Sequence, residues 1–267
     1  MKKVKVIVLR TAGTNCDKET AFAFEVCGAE TELVHINSLV MNDKNLADYQ
    51  ILAIPGGFTY GDDVASGKIL ANELKSKLKS QVLQFISDGK LVIGICNGFQ
   101  VLVKMGLLPD TKGEHTSRIE ATLSLNDSGK FNAEWVYLKR AKSDKCVWIK
   151  SLPSVIAVPI AHAEGKFIPR DENVISTLKK NEQIVFQYTD RTGVLSGVPF
   201  NPNGSIDDIA GICDTTGRIL GMMPHPERHI SYLQHPNWRR NDENKSEPGI
   251  GLKIFDDGVK YAKEKIM

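Results

Sequence analysis

Leu91-Val-Ile-Gly-Ile-Cys-Asn-Gly-Phe-Gln100 is the stretch whose reading decides the fold. Leu91 to Ile95 is a compact apolar run of the kind that makes a buried strand. It stops at a single thiol, Cys96, and a helix-like segment from Asn97 to Leu107 follows at once. Gly94 and Gly98 flank the thiol two residues away on either side. A tight strand-to-helix turn needs small neighbours there, because the chain folds back closely on itself. Such a turn puts the sulfur over a helix N-terminus, whose unpaired N–H groups and dipole favour a thiolate. A buried structural role is the commoner fate of a free cysteine, so Cys96 needs partners before it reads as a nucleophile.

Outward from this stretch, strand and helix alternate through the first 108 residues. Val4 to Leu9 reads as a strand, Lys18 to Val26 as a helix stopped by Gly28, Glu32 to Ile36 and Ile51 to Ile54 as strands. Leu70, Leu74, Leu78, Val82, Phe85 and Ile86 recur at helical spacing, which predicts one long amphipathic helix from about Ser66 to Ser87. The alternation predicts an α/β fold with a mostly parallel, flavodoxin-like sheet and helices on both faces. Ligands in such sheets bind beyond the C-terminal strand ends. Cys96 and the Pro55-Gly-Gly57 loop both fall there.

After Pro109 the pattern changes to an antiparallel extension. Arg118 to Leu125 and Phe131 to Leu138 predict a hairpin around Asn126-Asp-Ser-Gly129. Val155 to Ile160, Gly165 to Ile168 and Ile184 to Tyr188 read as strands. Ile209 to Cys213 and Ile219 to Met223 predict a second hairpin around Asp214-Thr-Thr-Gly217, and a helix is expected over about 250 to 263. The polar stretch from Asp242 to Pro248 is expected to be a mobile loop.

Length and composition set bounds. At 267 residues the chain buries roughly 75% of its unfolded surface and needs no staples. It reads as one domain over residues 1–267. There are 34 basic and 32 acidic residues, with no like-charge run of the length of a nucleic-acid arm. Lys139 to Lys145 and Lys179-Lys180 read as solvated faces. Five cysteines make no CxxC pair, which argues against a disulfide framework and a zinc site. The apolar run near the N-terminus is too short for a signal or a membrane span. A cytoplasmic protein that contacts neither membrane nor nucleic acid is expected.

A cysteine nucleophile needs a base, and the base needs a group to hold it. His225, in Pro224-His-Pro-Glu-Arg228, is the best placed of six histidines. Two prolines predict an extended backbone, so that His225 and Glu227 project to one side. His162, in Ile160-Ala-His-Ala-Glu-Gly165, also has an acid two residues on and competes with it. An oxyanion hole is needed as well. The Asn97 N–H at the helix start offers one donor, and an N–H of the Gly56-Gly57-Phe58 loop a second.

Together these pieces resemble the triad-type (class I) glutamine amidotransferases. The likeness is closest to one branch of that family, the glutaminase subunits of phosphoribosylformylglycinamidine synthases. The residues that carry it are Gly13-Thr-Asn-Cys-Asp17, Pro55-Gly-Gly-Phe-Thr-Tyr-Gly-Asp-Asp63, Gly94-Ile-Cys-Asn-Gly-Phe-Gln100, His162-Ala-Glu-Gly165, Asn201-Pro-Asn-Gly-Ser205 and Pro224-His-Pro-Glu-Arg-His229. Thr11-Ala12 departs from the branch's common Pro-Gly. Ala133-Glu134-Trp135 departs where an arginine often precedes the tryptophan.

The resemblance implies a Cys96, His225, Glu227 triad that hydrolyses L-glutamine through a thioester. It implies substrate contacts at Gly56, Gly57, Phe58, Asn97, Gln100 and His162. It also implies that ammonia passes to a separate synthetase subunit, in some systems with a small third subunit. That synthetase uses ATP and Mg²⁺ to aminate formylglycinamide ribonucleotide in purine biosynthesis. This chain has no Gly-x-x-x-x-Gly-Lys-Ser/Thr phosphate loop and no acidic cluster that reads as a metal site, so no cofactor is expected on it. Two other readings stay open at this point: another cysteine-elbow hydrolase such as a peptidase, and a non-catalytic scaffold of the same fold.

Overall fold

The computed structural model describes residues 2–115, 118–142, 144–240 and 247–267. Among these, nine strands form one sheet in the order β2-β1-β3-β4-β11-β10-β9-β6-β7. The first half is parallel: β1 (Lys5–Arg10) lies between β2 (Glu30–His35) and β3 (Ile51–Ile54), and β4 (Leu91–Ile95) follows β3. The central strands β1, β3 and β4 are apolar on both faces, as a sheet covered on both sides requires, whereas the edge strand β2 is partly exposed. Val6 to Leu9, Ile51 to Ile54 and Leu91 to Ile95 are all buried. β11 (Ile219–Met222) joins β4 in parallel, then turns back antiparallel onto β10 (Ile209–Cys213). Antiparallel pairing continues through β9 (Ile184–Thr189), β6 (Asn132–Arg140) and β7 (Val155–His162). By these pairings β1, β3, β4, β11, β9 and β7 all point the same way. Their C-terminal ends share one edge, and the site lies there.

The crossovers are α1 (Asp17–Val26), the short α2 (Ile36–Val40), α3 (Lys68–Lys77), α4 (Lys79–Ser87) and α5 (Asn97–Met105). The long helix expected over 66–87 is therefore two helices. Leu78 (φ −126°, ψ 10°) breaks them. Its side chain stays buried with Leu74 and Val82, so the apolar stripe runs through the break and leaves no mark in the periodicity. Ile36, read as the end of a strand, opens α2 instead, with His35 accepting from the Asn37 N–H as its cap.

The first expected hairpin does not form. β5 (Ala121–Ser124) pairs with β8 (Lys166–Pro169) in a separate two-stranded sheet, while β6 enters the main sheet. The reason is Asn126. Its N–H donates to Ala163 O and its side-chain amide to His162 O and Lys130 O, while its Oδ1 accepts from Gly165 N. The turn is spent on a distant loop and does not close a ladder between its own flanks. The second hairpin forms as expected, β10 on β11.

A helix not assigned in the sequence reading, α6 (Glu172–Lys180), is capped by Asp171, whose carboxylate accepts from Val174 N at 3.1 Å. Asp171 followed by Val174, Ile175 and Leu178 was its available signal. The terminal helix α7 (Leu252–Lys265) lies where expected. Of the polar stretch 242–248, positions 242 to 246 lie outside the described residues. Among the described residues no helix is long and apolar enough to cross a membrane.

Candidate active site

Cys96 is the residue between β4 and α5, with φ 51° and ψ −105°. A non-glycine residue rarely adopts a positive φ, and one held there marks a strained position fixed by its surroundings. What fixes it is on both sides. The Cys96 N–H donates to Met222 O at 2.8 Å, which ties the elbow to β11. A Cβ on Gly94 would lie 2.6 Å from Gly98 O, and one on Gly98 would lie 1.8 Å from Ile54 O. The two glycines are there because helix and strand approach too closely for a side chain.

β11 runs on into Pro224-His-Pro-Glu-Arg228. This segment is not extended as the two prolines suggested. Pro226–Arg228 form a 3₁₀ turn with His225 as its cap residue. Proline suits the first position of such a turn, where its missing N–H is not needed. His225 and Glu227 meet all the same, with His225 Nδ1 2.6 Å from Glu227 Oε1. Both side chains are almost wholly buried. The His225 N–H donates to Pro159 O, which attaches the turn to β7.

Burial alone would lower the proton affinity of His225. The Glu227 carboxylate, then the Cys96 and Cys16 sulfurs, outweigh it and hold the imidazole well above its ordinary range. Its Nε2 is buried without a protein partner. A Cβ placed on Gly56 would lie 2.7 Å from His225 Cε1, 3.3 Å from Cys16 Sγ and 3.4 Å from Cys96 Cβ. The Pro55-Gly-Gly57 loop is thus the floor on which nucleophile and base converge.

The rest of that loop is pinned from the N-terminal segment. Phe58 N donates to Gly13 O at 2.9 Å and Tyr60 N to Ala12 O at 2.8 Å. The Phe58 N–H is therefore spent, which leaves Gly56 and Gly57 as the loop's candidate oxyanion donors beside Asn97. Asn97 is the first residue of α5, where N–H groups have no intrahelical acceptor. The Phe58 ring is partly exposed at 6.2 Å from Phe131. The off-pattern Thr11-Ala12 lies directly behind this loop.

The side chains of Asn97 and Gln100 point into a buried polar network. Thr59 Oγ1 donates to Asn97 Oδ1, and Asn97 Nδ2 donates to Asp62 Oδ1 and Gln100 Oε1. Gln100 Nε2 donates to Glu164 O at 2.6 Å. Ser66 N completes the circuit with the Glu164 carboxylate, and Ser66 Oγ with Asp62 Oδ2. Three segments, the glycine loop, the elbow helix and the His162 loop, are held to one another by this set. Thr59, Asp62 and Glu164 lie in motifs quoted above, but neither their role nor that of Ser66 and Asn126 could be assigned from sequence, because the contacts that unite the segments span 35 to 98 positions. Asn201-Pro-Asn-Gly-Ser205 steadies the same loop from the other side, where Asn203 Nδ2 and Ser205 Oγ both donate to Gly165 O.

His162 sits at the end of β7 next to the thiol, where Cys96 Sγ approaches Ala161 O at 3.6 Å. Its Nδ1 lies 3.1 Å from Asn126 Oδ1. Burial, and then the charge on His225, bring its pKa down to about 4. Among the described residues, Cys16, His225 and Glu227 are the single set of such groups near enough together to share a metal ion, within 4.8 Å. His225 and Glu227 are already committed to each other, so the set reads as a proton-transfer array. The arrangement can form a thioester. It has a nucleophile at a constrained elbow, a buried base paired with a carboxylate, and candidate backbone donors on the elbow helix and the glycine loop.

Comparison with known proteins gives the family of the chain. Residues 3–262 match the family described as the CobB/CobQ-like glutamine amidotransferase domain. The phosphoribosylformylglycinamidine synthase subunit PurQ of Dehalococcoides mccartyi is 46% identical over 265 residues, 99% of this chain and 100% of that one. The protein of the same name from Methanococcus maripaludis strain S2 is 44% identical over 267 aligned residues, covering 96% and 97%. Among solved structures, PurLQS of Thermotoga maritima superposes with a TM-score of 0.73 at 30% identity, covering 97% of this chain and 99% of that one. A glutamine amidotransferase of Thermotoga maritima shares the fold at 14% identity and a TM-score of 0.51, covering 99% and 94%.

Proposed function

The chain belongs to the CobB/CobQ-like glutamine amidotransferase domain family, and we propose from that premise that it is the glutaminase subunit of a phosphoribosylformylglycinamidine synthase. It hydrolyses L-glutamine to glutamate and passes the ammonia to a synthetase subunit, which converts formylglycinamide ribonucleotide to the formylglycinamidine ribonucleotide of purine biosynthesis. The observation that carries the reading is the buried His225–Glu227 pair converging with Cys96 over Gly56.

In the proposed mechanism the Cys96 sulfur attacks the side-chain amide carbon of glutamine. The oxygen gains charge against the Asn97 N–H and an N–H of the Gly56-Gly57 pair. His225, held protonated by Glu227, gives its proton to the amide nitrogen, ammonia departs and a glutamyl thioester remains. His225, now neutral, takes a proton from water as the water attacks the thioester carbon, and glutamate leaves as the thiolate re-forms. Glu227 keeps the ring oriented through both halves. Gln100 and Asn97 side chains act on glutamine indirectly, by holding the elbow and the His162 loop in register. His162, neutral at physiological pH, lines the substrate end of the site.

This chain needs no cofactor in the scheme, and ATP and Mg²⁺ serve the partner subunit. Five free thiols suit a reducing, cytoplasmic setting.

The test is Cys96→Ala. Glutaminase rate should fall on the order of 10⁴-fold or more, while synthesis from ammonia by the assembled complex stays near its original rate. Retention of more than a tenth of the glutaminase rate would remove Cys96 from the chemistry.

A further inference from the structure

The site contains a second sulfur that the triad does not use. Cys16 precedes α1, is 1% exposed, and lies with its Sγ 3.3 Å from where a Gly56 Cβ would stand. Five hydrogen bonds fix it, one of them donated by its own Sγ to Asn15 Oδ1 at 3.5 Å. Its N–H donates to Gly56 O at 3.2 Å, and its carbonyl accepts from Thr20 N and Thr20 Oγ1. Arg228 Nη2 donates to Sγ at 3.0 Å. Arg228 is the residue after Glu227, so the same 3₁₀ turn that brings the carboxylate to His225 also brings a guanidinium to Cys16. The Cys16, His225 and Glu227 donor atoms lie within 4.8 Å of one another.

A buried thiol bonded to a guanidinium is an unusual use of an arginine, whose fork is suited to carboxylates and phosphates. A hydrophobic residue would pack as well beside Gly56. It would leave the half-buried Arg228 guanidinium without its acceptor on this side.

We propose that Cys16 and Arg228 form a positioning pair for the catalytic base: the sulfur, held by the guanidinium, braces the His225 ring over Gly56 so that the ring delivers its proton to departing ammonia. The inference rests on the glutaminase reading above. Groups that act on His225 come from four elements: Glu227 on its own turn, Cys96 at the elbow, Cys16 ahead of α1, and His162 at the end of β7, with the Arg228 guanidinium one contact away behind Cys16. Of these, Glu227, Cys96 and Cys16 favour the imidazolium, whereas the Arg228 charge and any proton on His162 oppose it. Loss of Cys16 removes one of three favourable partners and leaves the nucleophile in place.

The experiment uses the chain assembled with its synthetase partner. Cys16→Ala, Cys16→Ser and Arg228→Gln are compared with wild type for glutaminase kcat and KM. The pH dependence of Cys96 alkylation by a diazo-ketone glutamine analogue is measured in parallel, with thermal midpoints as a check on folding. Cys16→Ala is expected to lower kcat about 10-fold, well short of what a large misplacement of a reacting group costs. KM should stay within about two-fold, because Cys16 acts on the base. The alkaline limb of alkylation should move to lower pH, because the imidazolium then loses its proton more readily. Cys16→Ser, which can still accept from Arg228, should recover part of kcat, and Arg228→Gln, which removes the brace on the sulfur, should lower kcat as Cys16→Ala does.

Wild-type kcat and an unmoved pH limb in Cys16→Ala would overturn the proposal. So would a loss that tracks the thermal midpoint alone with the limb unmoved. A wild-type complex that lacks glutaminase activity, or a Cys96→Ala complex that keeps it, would instead overturn the functional reading, so the two failures are separable.

Discussion

Two loops leave the same edge of the sheet, and each carries a buried histidine with a glutamate two residues on. At 225–227 the glutamate reaches its histidine at 2.6 Å and raises it. At 162–164 the glutamate turns away to Ser66 N at 3.2 Å, the histidine rests on the neutral Asn126 amide, and burial lowers it to about 4. The spacing is identical, and the backbone between the two residues differs. Pro226 opens a 3₁₀ turn that stacks residue 227 back beside 225. After β7, the chain at Ala163 and Glu164 is drawn toward Asn126 and Gln100 by Asn126 N to Ala163 O and Gln100 Nε2 to Glu164 O. A histidine's role is set by which partner the turn delivers. Proximity of an acid in sequence is a weak guide.

The sharpest way to break this comparison is to remove each histidine in turn. His225→Ala should lower the glutaminase rate by on the order of 10⁴-fold. His162→Ala should act mainly on KM and on stability, with kcat within about ten-fold of wild type. Trapping of the acyl-enzyme with labelled glutamine reads both. Full activity in His225→Ala, or equal loss in the two variants, would reverse the assignment of roles.

Glu227→Gln gives a smaller effect and isolates the partner from the ring. The amide can still bond Nδ1 but no longer holds the imidazolium by charge, so kcat should fall about 10²-fold. The alkaline limb of activity should move to lower pH, and the pH profile of kcat measures both. A variant with a wild-type profile would mean that Glu227 only packs.

The mildest prediction concerns stability. His162 titrates near 6.5 when unfolded and at about 4 in the fold, so the unfolded chain binds more protons as the pH falls. Its contribution is complete above pH 6.5 and is lost between 6.5 and 4, on the order of 3 kcal/mol. His225 is raised, so its contribution is complete below 6.5 and is lost as the pH rises through its folded value. Denaturant midpoints from pH 8 to 4 should show a steeper acid decline in wild type than in His162→Asn. Parallel declines would show that His162 is not neutral in the fold.

Much of this was open to a reader of the residues. Cys96 between Gly94 and Gly98 marked the elbow, because a short apolar run that meets a thiol between glycines has few other geometries available. The apolar strands of the parallel half were legible because both their faces are buried, so almost every residue reports the same environment. His225 and Glu227 were legible as a pair, although the extended backbone inferred for them was wrong. The rest was hidden where one residue's partner lies far along the chain. Asn126 looked like a hairpin turn because turn composition is local, whereas its amide is used by residues 162 to 165. The break at Leu78 was hidden because burial, which the periodicity records, does not change across it. Cys16 and Arg228 are 212 positions apart, and no spacing rule links them.

The alternating α/β order, the nucleophile at its elbow and the family to which these motifs point can all be read from consecutive residues. They depend on short-range sterics and on the hydrophobic pattern, and both are local properties of the chain. Three matters needed the folded molecule: which of two similar histidines is held as the cation, which loop N–H is already spent, and which second thiol stands beside the base. Those depend on burial and on distances of about 3 Å between segments that meet only when strands of one direction end along one edge of the sheet.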